Sequence, residues 1–291
     1  MLSHLSLSEK INFIATNRLP RKAASKLMGK LASIEQPTLA KAMVRVWQHF
    51  DSELDLSESD VDINAFRSLK DCFTRPIKQE RRPIARQPGT IISPADAIIG
   101  AHGSIEDGML FQAKGFPYTL QELLNDDELA SKYRRGYFVT LRLKASFYHR
   151  FHAPIDGQIF SVNFIHGDMW NVNPVAVKTI DKLYCLNERA VIEVQNYTEN
   201  LNCCLVPVAA ILVASLKVHC IDGELNQDYT GPKVIPCNQS VNKGQELGYF
   251  EHGSTIVLLT SNDLSLNPTL ATGDRVNVGQ VLLAPTNRSK L

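Results

Sequence analysis

Near Thr90 the chain changes character. Before it, apolar residues recur at helical spacing among Lys and Ala, and after it β-branched residues and turn punctuation take over. Helix-forming and strand-forming parts segregated in this way point to an α+β fold. The expected organisation is an N-terminal helical segment with its linker over residues 1–62, followed by a mainly β core over residues 63–291.

In the first part Leu39, Met43, Val46, Trp47 and Phe50 recur at helical spacing after a start signal at Pro37 and Thr38, which predicts an amphipathic helix over 38–50. An acidic linker over 51–62 follows, then a short helix over 66–73 that ends before Arg75 and Pro76. In the second part Val139, Leu141 and Leu143 alternate with Thr140, Arg142 and Lys144, the pattern of a strand with one buried face. Further strands are expected over 98–105, 157–164, 190–194, 208–218 and 280–283, and helices over 117–125 and 127–133. Residues 254–260 form an unbroken run of β-formers after Gly253, which predicts a strand covered on both faces, its start firmly held.

Whole-chain charge is close to balance, +1 over 291 residues, so neither disorder nor bulk attraction to nucleic acid is expected. The first 50 residues differ, with eight Lys or Arg against Glu9 and Glu35. Basic residues beside Ile11, Phe13, Ile14, Leu27, Met28 and Leu31 suit a segment lying on an anionic membrane surface, or equally a solvated face of helices packed on their own domain. No stretch reaches the roughly 18 apolar residues of a membrane span, and no secretory signal is expected. Six cysteines show no CxxC pair and no regular framework, which argues against structural zinc and a disulfide scaffold and fits a reducing compartment.

Three segments carry the residues of nucleophilic chemistry: Ser93-Pro94-Ala95-Asp96, the stretch from Tyr148 through His149 and His152 to Gly157, and His252-Gly253-Ser254-Thr255. An Asp, a His and a Ser could form a hydrolase triad, but there is no GxSxG elbow, and Ser254 opens a strand instead of a strand-to-helix turn. His149 and His152 lack the further ligands of a metal site, so no metal is expected.

Taken together the three segments resemble the phosphatidylserine decarboxylase family, whose proenzymes share SPADG, YHRxHxPxxG and LGST sequences. The resemblance extends through Phe73-Thr74-Arg75-Pro76, Gln112-Ala113-Lys114-Gly115, Gly167-Asp168, Val172-Asn173 and Asn187-Glu188-Arg189, and so covers roughly residues 65–285. It implies self-cleavage between Gly253 and Ser254. The serine hydroxyl attacks the glycine carbonyl, and elimination then leaves a pyruvoyl group at the new N-terminus. That group would decarboxylate phosphatidylserine to phosphatidylethanolamine through a Schiff base, with no other cofactor. His152 would activate Ser254, Asp96 would orient and charge His152, and His149 would serve lipid turnover. The resemblance further implies a peripheral enzyme on the cytoplasmic face of the cell membrane, the two chains of the processed protein remaining associated, as a homodimer. A pyruvoyl enzyme acting on another amine-bearing acid, and a lipid-binding scaffold that keeps the fold without processing, are the alternatives. Two positions depart from the family pattern: His252 replaces leucine, and Ala97 replaces glycine.

Overall fold

The computed structural model describes Ser6, Phe13 and residues 20–112, 116–212, 215–251 and 254–286. The expected membrane segment therefore lies partly outside the described residues, as do His252, Gly253 and residues 113–115. The fold is α+β. Helices Arg21–Ala32 and Pro37–Phe50 are the first two whose whole span is described. The second begins where Pro37 occupies the first turn and the Gln36 side chain accepts from the Thr38 amide. A short helix, Leu69–Phe73, is closed by a reciprocal cap between Ser68 and Asp71. Together they enclose a small core of Ala32, Val44, Phe66, Leu69, Cys72 and Phe73, which draws on both sides of residue 62.

Among the described residues the strands are, in chain order, β1 (Ile91–Ile92), β2 (Ala97–Ile105), β3 (Met109–Phe111), β4 (Pro117–Thr119), β5 (Gly136–Arg142), β6 (Arg150–His152), β7 (Gly157–Ile165) and β8 (Arg189–Asn196). They continue with β9 (Leu201–Val208), β10 (Leu216–Val218), β11 (Val234–Val241), β12 (Glu246–Phe250), β13 (Thr255–Thr260), β14 (Leu264–Leu266), β15 (Arg275–Val276) and β16 (Val281–Pro285). Eight of them form one sheet in the order β11-β7-β8-β9-β13-β5-β2-β15, and β10-β12-β6 form a second, three-stranded sheet. Strand β13 pairs antiparallel with β5 on one side and β9 on the other, and all six of its residues are buried, as the apolar run predicts.

Three local expectations are corrected. Strand β5 is covered on both faces, with Thr140 as buried as Val139 and Leu141, because the chain around Val172, Pro174 and Tyr184 closes over its second face. The strand expected over 208–218 is instead the last residue of β9, a connection, and β10; the β9 ladder stops where its partner β13 begins, at the Thr255–Val208 pair. The helix expected over 117–125 starts at Leu120, because Pro117–Thr119 pair with β3 and Thr119 caps the helix with Glu122.

The cysteines also differ in part from expectation. Cys220 and Cys237 form a disulfide with Cα atoms 5.5 Å apart, two residues 17 positions apart that a fold-level turn brings together without any local signature. Cys203 and Cys204 are buried on β9, where desolvation pushes both thiols well above their ordinary range, so they pack as small apolar groups.

Candidate active site

The backbone joins the three segments. The His152 amide donates to the Pro94 carbonyl at 2.8 Å, tying the second segment to the first. Strand β6 then pairs with β12 in the register His152–Glu246, Phe151–Gly248 and Arg150–Tyr249, and the Phe250 amide donates to the His149 carbonyl at 3.0 Å. Strand β12 leads directly toward Ser254, whose carbonyl accepts from the Leu143 amide at 2.8 Å. Residues 93–97 are all buried, and Ala97 opens β2 with an ordinary negative φ, so the glycine-to-alanine departure falls in a strand and not in an exposed turn.

Ser254 is fully buried at the head of β13, and its hydroxyl has no hydrogen-bond partner among the described residues. A buried polar group without a partner costs about 1–3 kcal/mol, so such a group calls for a reason beyond packing. The arrangement fits a residue that is itself converted into the reactive group: the hydroxyl is held in a dry place, uncommitted to any described neighbour.

The His152 ring sits between Gly244 and Tyr148. Its Nδ1 lies 2.9 Å from the Gly244 carbonyl and its Nε2 lies 3.0 Å from the Tyr148 hydroxyl. A carbonyl can only accept, so Nδ1 carries the proton and donates, which leaves Nε2 as the basic nitrogen receiving the Tyr148 O–H. Burial drives the tyrosine up, keeping it a donor, and burial also lowers His152 below the ordinary 6.5, against an opposing pull from Gly244, Glu246 and Asp96. Gly244 reaches this position with a left-handed φ of +86°, which a side chain would strain, and a Cβ there would press Ile84 at 2.7 Å.

Asp96 is fully buried, and its carboxylate does not meet the His152 ring as expected. Arg82 takes it, with Nε at 2.9 and 3.1 Å and Nη2 at 2.5 Å, and the Val278 amide adds a bond at 2.9 Å. The other side of the Arg82 guanidinium holds Glu58 at 2.6 and 3.1 Å. Asp96 therefore influences the His152 ring by its charge and not by direct contact. His149 is fully buried with its ring edge-on to Phe73, centroids 6.0 Å apart.

Several matching residues are clamps. Arg150 holds the Thr74 carbonyl and both Glu246 oxygens. Arg189 donates to the carbonyls of Leu123, Cys185, Asn187 and Glu122, and Gln112 to those of Val177 and Ile180. Arg75 holds Cys72 and Ser146 in the same way. Missing from the sequence reading are Arg82, Glu58, which lies in the acidic linker, and Gly244. Tyr148 stands beside the histidines in sequence, but its hydrogen bond to His152 has no local signature. Outside this region a concavity of about 790 Å³ lies at the far ends of β5 and β13 around Glu106 and Asp263, remote from Ser254. Among the described residues no cluster of side chains forms a metal site.

The sequence pattern of the phosphatidylserine decarboxylase family matches residues 69–284. A phosphatidylserine decarboxylase proenzyme of Brevibacillus brevis is 35% identical over 272 residues, covering 91% of this chain and 95% of that protein. The proenzyme of the same name from an Anaeromyxobacter species is 35% identical over 286 residues, covering 95% and 99%. One from Coxiella burnetii is 34% identical over 281 residues, covering 91% and 96%.

Proposed function

The chain belongs to the phosphatidylserine decarboxylase family, and from that membership we propose that it is a self-processing, pyruvoyl-dependent enzyme that converts phosphatidylserine to phosphatidylethanolamine. The observation that carries the reading is Ser254, buried at the head of the central strand with its hydroxyl unpartnered among the described residues.

In the processing step the Ser254 oxygen attacks the Gly253 carbonyl carbon, its proton passing to His152 Nε2 once Tyr148 yields that nitrogen. The C–N bond breaks, freeing the Ser254 amino group and leaving an ester. Loss of the Ser254 Cα proton expels the Gly253 carboxylate, and hydrolysis of the remaining enamine releases ammonia. The charge of Asp96, which is paired with Arg82, favours positive charge on the imidazole as it takes the proton. The resulting pyruvoyl group would supply a ketone carbon that joins the substrate amine and draws electrons from its Cα as carbon dioxide leaves. His149 is assigned the handling of substrate at that centre.

Membrane contact belongs to the two first helices. Leu27, Leu31, Leu39, Val46 and Phe50 are exposed on them beside the exposed cations Lys22, Lys26, Lys30 and Arg45, a pairing that suits an anionic lipid surface. Among the described residues no helix is long and apolar enough to cross a membrane.

Intact mass tests the reading. The purified chain should resolve into pieces of about 28 and about 4 kDa, scaled from 32.4 kDa over 291 residues, the smaller one lacking a free amino terminus. A free amino-terminal serine on the smaller piece would defeat the pyruvoyl assignment. Ser254→Ala should remain one chain.

A further inference from the structure

The strand that flanks Ser254 carries a guanidinium with no hydrogen-bond or ion-pair partner among the described residues. Arg142 ends β5 directly opposite Thr255, the residue after Ser254. It is half-buried, and its side chain makes no hydrogen bond or ion pair with a described residue. The other guanidiniums near the site behave otherwise: Arg82 holds two carboxylates, Arg150 holds one, and Arg75 holds carbonyls. Burial disfavours the charge on Arg142, a penalty that a bound anion would relieve.

Its surroundings are those of a ligand site. Residues two apart on a strand, and residues directly paired across a ladder, share a face, so Thr140 and Thr255 lie on the Arg142 face of the sheet. Both threonine hydroxyls are buried without a hydrogen-bond partner among the described residues. Above Arg142 a groove of about 470 Å³ is walled by Ile98, Val172, Pro174, Val177 and Tyr184. A second groove, of about 390 Å³, shares Arg142 and Val172 with the first and runs between Asn171 and Ala210 to Leu212 and Asp51. Leu212 is tied by its amide to Ser25 of the first helix, and Asp51 ends the second. The path from Arg142 thus opens at the two helices assigned to the lipid surface.

We propose that Arg142, assisted by the Thr140 and Thr255 hydroxyls, binds the phosphodiester of the phospholipid substrate and so sets the preference for a phospholipid over a free amino acid. The inference rests on the proposed reaction at Ser254 and deepens it. Only the serine Cβ and one ester oxygen separate phosphorus from the Cα that reacts, so an anchor beside residue 255 is within reach of an amine engaged at residue 254. The two anions of the headgroup are not equivalent targets. A cation on the carboxylate would stabilise the ground state more than the departing neutral carbon dioxide and would slow the chemistry, whereas the phosphodiester keeps its charge throughout. Arg142 is therefore a binding residue for the phosphate and takes no part in bond breaking.

The test pairs a binding measurement with an activity ratio. In Ser254→Ala, which cannot form the pyruvoyl group, adding Arg142→Met should weaken binding of short-chain phosphatidylserine roughly 10- to 100-fold, the range of a charged hydrogen bond lost. Arg142→Lys should weaken it less, since the charge stays but the fork is lost. In the processed enzyme, kcat/KM for phosphatidylserine divided by kcat/KM for an O-acyl serine without phosphate should fall by a similar factor in Arg142→Met. If Arg142→Met does not fold, Arg142→Lys decides alone by a several-fold loss or none. Unchanged binding with an unchanged ratio overturns the anchor only. An unaltered chain that neither cuts itself nor decarboxylates phosphatidylserine overturns the function on which the anchor rests.

Discussion

The Arg82 guanidinium closes on the Asp96 carboxylate through Nε and Nη2 while its outer edge holds Glu58, so the carboxylate beneath the His152 backbone is neutralised by a partner 14 residues before it. Asp96 has no accessible surface and Arg82 has 7%. Removing one member of such a pair strands a buried charge, at a typical cost of about 3–5 kcal/mol. Arg82→Met should therefore lower the unfolding free energy of the Ser254→Ala chain by about that much in a urea titration, and should slow self-cleavage in the otherwise unaltered chain. Wild-type stability in Arg82→Met would mean that the pair is solvated and that Asp96 has another partner.

The acid side of the self-cleavage profile follows from His152. Burial is the largest influence on it and lowers its pKa, so the imidazole stays neutral, and able to take a proton, to a pH below the ordinary 6.5. The cleavage rate of freshly refolded chain, plotted against pH, should fall with a midpoint below 6.5. Stability carries the same sign. The unfolded chain takes up a proton on this residue near 6.5 and the folded one does not, so this contribution is complete above 6.5 and is lost as pH falls toward the folded value. An acid limb centred above 6.5 would remove His152 from the role of base.

The two histidines should separate. The His152 ring lies between Gly244 and Tyr148, whereas the His149 ring packs edge-on against Phe73, so the two are presented to different surroundings. His152→Ala should remain mostly full length on a denaturing gel. His149→Ala should be cut yet release carbon dioxide from labelled phosphatidylserine about 10²- to 10⁴-fold more slowly, the usual loss for a positioned proton-transfer group. The reverse pattern would exchange the two assignments.

Vesicle binding should have a salt-sensitive part and an apolar part. Charges exposed to solvent are screened over about 8 Å at physiological ionic strength, so binding through Lys22, Lys26, Lys30 and Arg45 should weaken as salt rises. What persists belongs to side chains such as Leu27 and Phe50, 58% and 83% exposed. Leu27→Ser with Phe50→Ser should abolish co-sedimentation with anionic vesicles at high salt. Retained co-sedimentation would move the membrane contact to another face.

Local pattern was enough for the frame. The helix over 37–50, the fully buried strand after Ser254 and the α+β division are all written in short-range periodicity, because burial of one stripe or of a whole short strand shows directly in which residues are apolar. Partnership across the fold was not legible. Thr140 reads as a solvent-facing residue until the chain around Tyr184 covers it, and Arg82 reads as one cation in a charged run until Asp96 is seen behind it. Nor does any spacing join Cys220 to Cys237. The three motif segments name the participants in the site, but which side chain touches which is decided by hydrogen-bond directions that only the assembled sheet fixes.

Strand β13 lies between β5 and β9, β15 pairs with β2, and β16 with β1, so three of the four described strands after Ser254 are woven into strands that precede it, and β14 joins them through β16. A break before Ser254 changes the molecularity of folding. The intact precursor forms its sheet in a first-order process, whereas two separated pieces would have to find one another in a second-order one, with the longer piece exposing both unpaired edges of a gap in the middle of its sheet. The proposed self-cleavage, coming after folding, would thus leave a protein whose unfolding is in practice one-way, its lifetime set by the rate at which the middle strand escapes and not by an equilibrium with a chain that can return.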